Sequence, residues 1–211
     1  MAVRTFSQPV THIDELRSII GVPQPISVKK QISDLDRHCC AFIALSPFLL
    51  IGTSNGAGRC DVSPKGDSPG FVQVLDSETL LIPERPGNRR GDTLVNILEN
   101  PHVGLLFMIP GIEDTLRVNG RATIVKDEEL LDLTAHQGKR PVLTIAVHVQ
   151  EAFLHCAKAF KRSNLWDADA QVPRNKLPSL AQMVLAHTNH EVCSLDELED
   201  YIKQSYETRL Y

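Results

Sequence analysis

Residues 115–124 alternate between apolar and polar side chains, and this pattern limits the fold more than any other feature of the sequence. The apolar positions are Leu116, Val118, Ala122 and Ile124, and most of the residues between them are polar or charged. Because successive side chains of a strand point to opposite faces of a sheet, the pattern predicts a long strand with one buried and one polar face. Such strands are typical of antiparallel sheets.

Shorter segments rich in apolar residues, separated by turn sequences, predict the other strands. These segments are 48–53, 59–62, 71–75, 79–82, 102–109 and 142–149. From these six segments and 115–124 we expect six antiparallel strands, one fewer than there are segments. Together with the helices between them, they predict an α+β fold, a six-stranded antiparallel split β-barrel that is closed and leaves no strand edge exposed.

Helical spacing of apolar residues predicts peripheral helices around this barrel. Two helices precede the first strand, a short helix at 92–99 lies between strands, and helices at 179–188 and 194–206 follow the last strand. We therefore expect N-terminal helices in residues 1–46 that pack on the barrel, a barrel domain in 47–166 and a C-terminal helical extension in 167–211.

Composition and motifs argue against several classes of protein. The formal net charge of −4 gives no attraction for nucleic acid or an anionic membrane. The chain has no long apolar run and no Cys-x-x-Cys pair among its five cysteines, so we expect a cytoplasmic protein without disulfides or zinc. His187 and His190 could be imagined as metal ligands, but a solvated surface pair is the commoner arrangement. No nucleotide-binding glycine motif, hydrolase elbow or zincin motif is present.

The densest polar cluster is the loop Glu-Arg-Pro-Gly-Asn-Arg-Arg at residues 84–90, which directly precedes a predicted helix. Arginine offers planar paired donors, glycine lets the backbone approach a ligand, and a helix start adds free N–H groups. The loop therefore favours a phosphate site. The alternative is a solvated basic loop, which is common for arginine-rich segments.

Two other segments carry candidate ligand-binding residues. Ser63 and Lys65 stand at the end of a predicted strand, although a lysine beside proline and glycine is often only an exposed turn residue. Lys158, Arg162 and the single tryptophan, Trp166, lie in a basic and aromatic stretch that suits an anionic ring system. The alternative there is an amphipathic helix whose aromatic side chains pack inward while the cations reach solvent.

The order of these elements resembles the pyridoxamine 5'-phosphate oxidase superfamily over roughly residues 42–166. The strongest stretches are Asn-Arg-Arg at 88–90, Glu-Asn-Pro-His-Val-Gly at 99–104 and Thr-Leu-Arg-Val-Asn-Gly at 115–120. The overall pattern is similar to a flavoprotein branch of the superfamily rather than to the vitamin B6 oxidase itself. The strand with the Arg-x-His-x-Arg pattern that grips the substrate phosphate in the B6 oxidases has no counterpart after Trp166.

The resemblance implies bound FMN, with ligands drawn from two chains of a homodimer. In one chain, the phosphate would be held by Arg89 and Arg90, and Asn88 of the same loop would also bind the cofactor. The ring would be contacted by Thr115, and its edge would be lined by Pro83, Glu84 and Arg85. Ser63 and Lys65 match the position of further flavin contacts. Lys158, Arg162 and Trp166 match the segment that the family contributes to the flavin of the partner subunit.

The resemblance also implies a function, that of an FMN-dependent oxidoreductase acting on a small molecule. Two alternatives stay open at this point. The sequence offers no convincing acid or base near the proposed site, which would suit a flavin-binding or storage protein without a substrate. A deazaflavin-dependent reductase on the same barrel would differ only in its cofactor.

Overall fold

The computed structural model describes residues 4–189, 191 and 193–211, and the chain divides into two compact units, 1–31 and 32–211. The described part of the first unit contains helix α1 (Ile13–Ile20) and the short helix α2 (Pro25–Lys29). Neither helix has a buried side chain. The domain boundaries that we placed at 46 and 166 stay predictions.

The second unit begins with helix α3 (Arg37–Leu45), whose start and buried face follow from its sequence. The carboxylate of Asp36 accepts hydrogen bonds from the backbone N–H groups of His38 and Cys39, as a helix cap does. The bond from the Cys39 N–H is the main reason that the pKa of Asp36 lies below its ordinary value. Cys39 and Ile43 are one helical turn apart and are both buried.

Seven strands follow, all antiparallel to their neighbours. They are β1 (Phe48–Ser54), β2 (Cys60–Gly66), β3 (Gln73–Asp76), β4 (Thr79–Pro83), β5 (His102–Ile109), β6 (Ile112–Val125) and β7 (Thr144–His155). Their order in the sheet is β2-β1-β5-β6-β7-β4-β3. The antiparallel α+β class is therefore confirmed.

The predicted count and closure were wrong. The sheet has seven strands rather than six, because every apolar segment forms a strand, including the short pair β3 and β4 on either side of Ser77 and Glu78. Within the described part of the chain, no backbone ladder joins β2 to β3, so the sheet is not closed. Ser63, Pro64 and Lys65 lie in the edge strand β2, and Pro64 lacks the N–H that a further strand would need.

The core lies on one face of the central strands, as the alternation predicted. Leu116 and Val118 of β6 are fully buried, and Ala122 is almost so. Gly120 falls in the same alternation, and a Cβ built on it would lie 2.1 Å from the carbonyl oxygen of His148, so only glycine fits there. The register of β6 against β7 shifts next to this glycine, which marks a β-bulge.

The remaining helices are α4 (Asp92–Glu99), α5 (Glu128–Leu133), α6 (Lys158–Ser163), α7 (Leu180–His187) and α8 (Leu195–Thr208). The predicted helices at 92–99, 179–188 and 194–206 are thus confirmed. Capping boxes at Ser179 and Ser194 begin α7 and α8. In each box the serine hydroxyl accepts from the backbone three residues on, while that residue's side chain accepts from the serine N–H.

Candidate functional site

A cleft of about 410 Å³ lies where three segments of the chain meet. The segments are the end of β2, the loop after β4 and the start of α4. Seven of the twelve predicted ligand residues line this cleft, namely Ser63, Lys65, Pro83, Glu84, Arg85, Asn88 and Arg90. The structure therefore brings together most of what the sequence singled out.

Side-chain hydrogen bonds hold α4 against the first hairpin and so fix one wall of the cleft. The amide of Asn96 donates to the hydroxyl of Thr53 at 3.0 Å, and the hydroxyl of Thr93 donates to the carboxylate of Asp61 at 3.4 Å. Both acceptors lie on the hairpin of β1 and β2. The first turn of α4 consequently lies beside Asp61, near the start of β2.

An ion pair links the end of β2 to the loop after β4. The ammonium of Lys65 on β2 lies 2.5 Å from the carboxylate of Glu84 in the loop after β4, and both side chains are largely buried. Ser63 and Lys65 are two residues apart on one strand, so their side chains point to the same face. This explains why both of them reach the cleft.

The start of α4 offers a set of hydrogen-bond donors. Gly91 is its N-cap, with a left-handed φ of 65°, and the first N–H groups of the helix have no acceptor within the helix itself. The side chain of Asn88 accepts from the backbone N–H of Arg90 and so shapes the turn that leads into the helix. Gly87 and Gly91 have no atom within 4 Å of the place where a Cβ would stand, so a ligand can approach the backbone closely.

Arg90 forms an exposed ion pair with Asp92, with 2.7 Å between its Nε and the carboxylate oxygen. The hydrogen bond from Arg90 lowers the pKa of Asp92, and the same bond raises the pKa of the guanidinium. Asp92 repels an anion at the helix start, whereas Arg90 attracts one. Because the pair is exposed, the guanidinium is able to turn towards a phosphate at little cost.

Five predicted ligand residues do not line the cleft. Arg89 is exposed and has a left-handed φ of 62°. Thr115 is buried on β6, where it pairs with His155 of β7. Lys158 and Arg162 belong to α6 and are not buried, and the indole N–H of Trp166 donates to the carbonyl oxygen of Ile112 at 2.9 Å.

Thr115 and Trp166 are therefore associated with the first residues of β6. An ion pair of 2.5 Å between Lys161 and Glu113 also joins α6 to this part of the strand. The ring of Trp166 packs against Phe160. The predicted role of this segment in a partner's site stays a prediction.

Sequence reasoning missed a second group of residues beside the cleft. A smaller cavity of about 130 Å³ shares Phe71 and Arg85 with the cleft and is also lined by Asp67 and His136. The carboxylate of Asp67 is only 1% exposed. It accepts from Arg85 Nε at 2.7 Å, from the backbone N–H of Ser68 at 2.7 Å and from the hydroxyl of Tyr211 at 2.8 Å, and His136 Nδ1 lies 3.4 Å away.

These contacts shift two pKa values in opposite directions. Burial alone would raise the pKa of Asp67, but the hydrogen bonds from Tyr211, Ser68 and Arg85 together bring it below its ordinary value. The bond to Asp67 raises the pKa of the Tyr211 phenol. No local pattern marks this cluster, because Tyr211 is 144 positions from Asp67 in the sequence. The only signal was an aspartate in a Gly-Asp-Ser-Pro-Gly turn.

Other possible sites are few. Among the described residues, no group of three or more histidine, cysteine, aspartate or glutamate side chains could hold a metal ion, and all five cysteines are free thiols. His190, half of the histidine pair considered above, lies outside the described residues. Of the helices that the structure describes, none has the length and apolar character needed to cross a membrane.

The fold and cleft define an antiparallel α+β protein with a polar site at the edge of its sheet. The sequence model of the pyridoxamine 5'-phosphate oxidase family matches residues 35–156, which is more than half of the chain. The chain belongs to this family. No curated protein sequence matches the chain.

Several solved structures are similar to part of the chain. HupZ from Group A Streptococcus is 18% identical over 57% of this chain and 93% of its own, with a TM-score of 0.48. A putative pyridoxamine 5'-phosphate oxidase from Lactobacillus delbrueckii is 19% identical over 58% and 99%, with a TM-score of 0.46. HutZ, a heme storage protein from Vibrio cholerae, is 16% identical over 57% and 93%, with a TM-score of 0.38.

Proposed function

We propose that this chain binds FMN in the cleft and works as an FMN-dependent oxidoreductase. The observation that carries the proposal is that seven predicted ligand residues, from segments that are apart in sequence, line one cleft. Its volume of about 410 Å³ lies within the range of roughly 300–1,000 Å³ that is usual for small-molecule sites. Bound FMN would supply hydride or electron transfer, for which the protein provides binding and electrostatics.

The two ends of the cleft suit the two ends of that cofactor. Arg90 and the free N–H groups at the start of α4 would hold the phosphate, since helix starts and arginine both favour anions. Lys65 and Arg85 would lie at the ring end, where a cation stabilises negative charge on a reduced ring. Glu84 and Asp67 keep these two cations in place through ion pairs.

The mass and absorbance of the copurified chromophore test the cofactor. We expect about one FMN per chain, released intact on denaturation. A deazaflavin mass would instead support the reductase alternative, and a protein that neither copurifies with FMN nor takes it up would contradict the proposal.

Turnover separates an enzyme from a storage protein. We expect reduction of the bound FMN by a nicotinamide donor, followed by reoxidation with a common acceptor over many cycles. If none of the donor and acceptor pairs gives turnover of the bound flavin, the result would favour a storage protein. Formation of pyridoxal 5'-phosphate should stay far below about 1 per second, a modest enzymatic rate, because the Arg-x-His-x-Arg strand of the B6 oxidases is missing.

We also propose a homodimer in which α6 and Trp166 of one subunit complete the cleft of the other. This would explain why Lys158, Arg162 and Trp166 do not line the cleft of their own chain. Twofold symmetry would then give two equivalent sites per dimer.

Co-expression of two variants tests this arrangement. Arg90→Ala and Trp166→Ala chains, each defective alone, would form mixed dimers in which one site carries both changes and the other carries neither. With equal amounts and random pairing, about a quarter of all sites should then be intact and bind FMN. Recovery of no FMN, or light scattering that gives the mass of a single chain, would contradict the shared site.

A further inference from the structure

Tyr211 makes three different contacts with the group of residues beside the cleft. Its ring lies parallel to that of His136, with 4.0 Å between the ring centroids and 6° between the planes. Its hydroxyl donates to the buried carboxylate of Asp67 at 2.8 Å. The guanidinium carbon of Arg85 lies 5.7 Å from the centre of the same ring.

Each contact recognises one property of a phenol. The imidazole face accepts a planar ring, the guanidinium favours the electron-rich face of an aromatic ring, and the carboxylate accepts a hydrogen bond from a donor on the ring. Asp67 cannot easily turn away from this role, because Arg85 and the Ser68 N–H hold its other positions. The three side chains together therefore specify a planar ring that carries a hydrogen-bond donor.

The position of these residues connects them with the cleft. Arg85 and Phe71 line both the cleft and the smaller cavity, and His136 and Asp67 line the smaller cavity alone. A ring held on His136 would consequently stand next to a ligand in the cleft. Tyr211 itself is 39% exposed, so a competing ring has access to the same place.

We propose that Asp67, Arg85 and His136 form a binding subsite for a phenol-like ring of a substrate, and that Tyr211 of the same chain occupies this subsite and must be displaced. The identification of the ring as part of a substrate rests on the oxidoreductase function proposed above. The binding of the ring to these three residues does not.

The probe is p-cresol, which has the ring and hydroxyl of a tyrosine side chain, and toluene serves as the matched probe without a donor. Binding is measured by NMR titration of the purified full chain, with and without FMN. If Tyr211 occupies the subsite about nine-tenths of the time, its removal in Tyr211→Ala should tighten p-cresol binding about tenfold. Toluene should bind Tyr211→Ala much more weakly than p-cresol does.

Two further variants make the test specific. Tyr206→Ala removes an exposed tyrosine of α8 and should leave p-cresol binding as in the unmodified chain. The double variant Tyr211→Ala with His136→Ala keeps the site open but lacks the stacking surface, so the gain should disappear. Circular dichroism and the thermal midpoint show that each variant is folded.

The outcomes separate the subsite from the proposed function. A Tyr211→Ala chain that binds p-cresol no better than the Tyr206→Ala chain would overturn the subsite, and so would equal binding of toluene. If p-cresol binds as expected but FMN does not, the subsite stands and the oxidoreductase function fails. If both bind, p-cresol should also change the absorbance of the bound FMN, and the absence of that change would overturn the substrate role.

Discussion

Two arginine–aspartate ion pairs flank the cleft, and they have the same separation but opposite surroundings. In both pairs the arginine Nε lies 2.7 Å from a carboxylate oxygen. The side chains of Arg85 and Asp67 are 16% and 1% exposed, whereas those of Arg90 and Asp92 are 69% and 46% exposed. The same separation therefore serves two purposes. The buried pair fixes the wall between the two cavities, and the exposed pair leaves an arginine that is able to bind a ligand.

The largest expected difference between the pairs is in stability. Asp67→Ala leaves the largely buried Arg85 without its partner, and breaking a buried pair in this way costs about 3 kcal/mol of unfolding free energy. Asp92→Ala should cost far less, because exposed pairs are screened by water. Urea denaturation of both variants measures this difference. Equal losses of stability would contradict the assignment of a structural role to the buried pair alone.

Ligand affinity should show the reverse order. Arg90→Ala should weaken FMN binding by about 10- to 100-fold, the usual effect of losing charged hydrogen bonds to a phosphate. Arg89→Ala is the matched control, since Arg89 is adjacent in sequence but does not line the cleft. Its effect should stay below about threefold, as for an arginine that acts only through screened long-range charge. Fluorescence titration of the apoprotein with FMN measures both values, and a larger effect at Arg89 would show that the phosphate lies elsewhere.

This pair of arginines also shows how far sequence reasoning reaches. The arginine-rich loop before a helix predicted a donor-rich site, and the structure places Arg85, Asn88 and Arg90 around one cleft. The sequence alone could not show that Arg90 lines the cleft and Arg89 does not, because the left-handed φ of Arg89 depends on how the loop turns into α4. Local pattern gives the residue types of a site, whereas the backbone decides which side chains reach it.

The fold was predictable to a similar extent, in its local features but not in its long-range contacts. The alternation along β6 is a local property, and it correctly predicted the burial of Leu116 and Val118. The seven apolar segments correspond to the seven strands, so the local pattern already contained the strand count. The open edge depends on pairing between distant segments, which no local period encodes. The same reason hides the contacts of Asp67 with His136 and Tyr211, since these residues meet only after the chain has folded.

The smallest expected effect is the dependence of stability on acid pH. The pKa of Asp67 and that of Asp92 both lie below the ordinary aspartate value of 3.8 in the folded chain. A lowered folded-state pKa gives stability that is fully present above the unfolded pKa and is lost as the pH falls through the folded-state value. Unfolding free energy should therefore decline below about pH 4, the region of the ordinary aspartate pKa.

Salt should distinguish the two contributions to this decline. Asp67→Asn and Asp92→Asn each remove one titrating group, so each should flatten the decline between pH 5 and the acid range, as measured by urea denaturation at a series of pH values. At about 1 M salt the Debye length is only about 3 Å, so exposed charges are screened while buried ones are affected much less. At this salt concentration, the unfolding free energy of Asp92→Asn should decline with falling pH in the same way as that of the unmodified chain. The flatter decline of Asp67→Asn should persist. If high salt removes both differences, the carboxylate of Asp67 is solvated in solution, and the contrast between the two ion pairs fails.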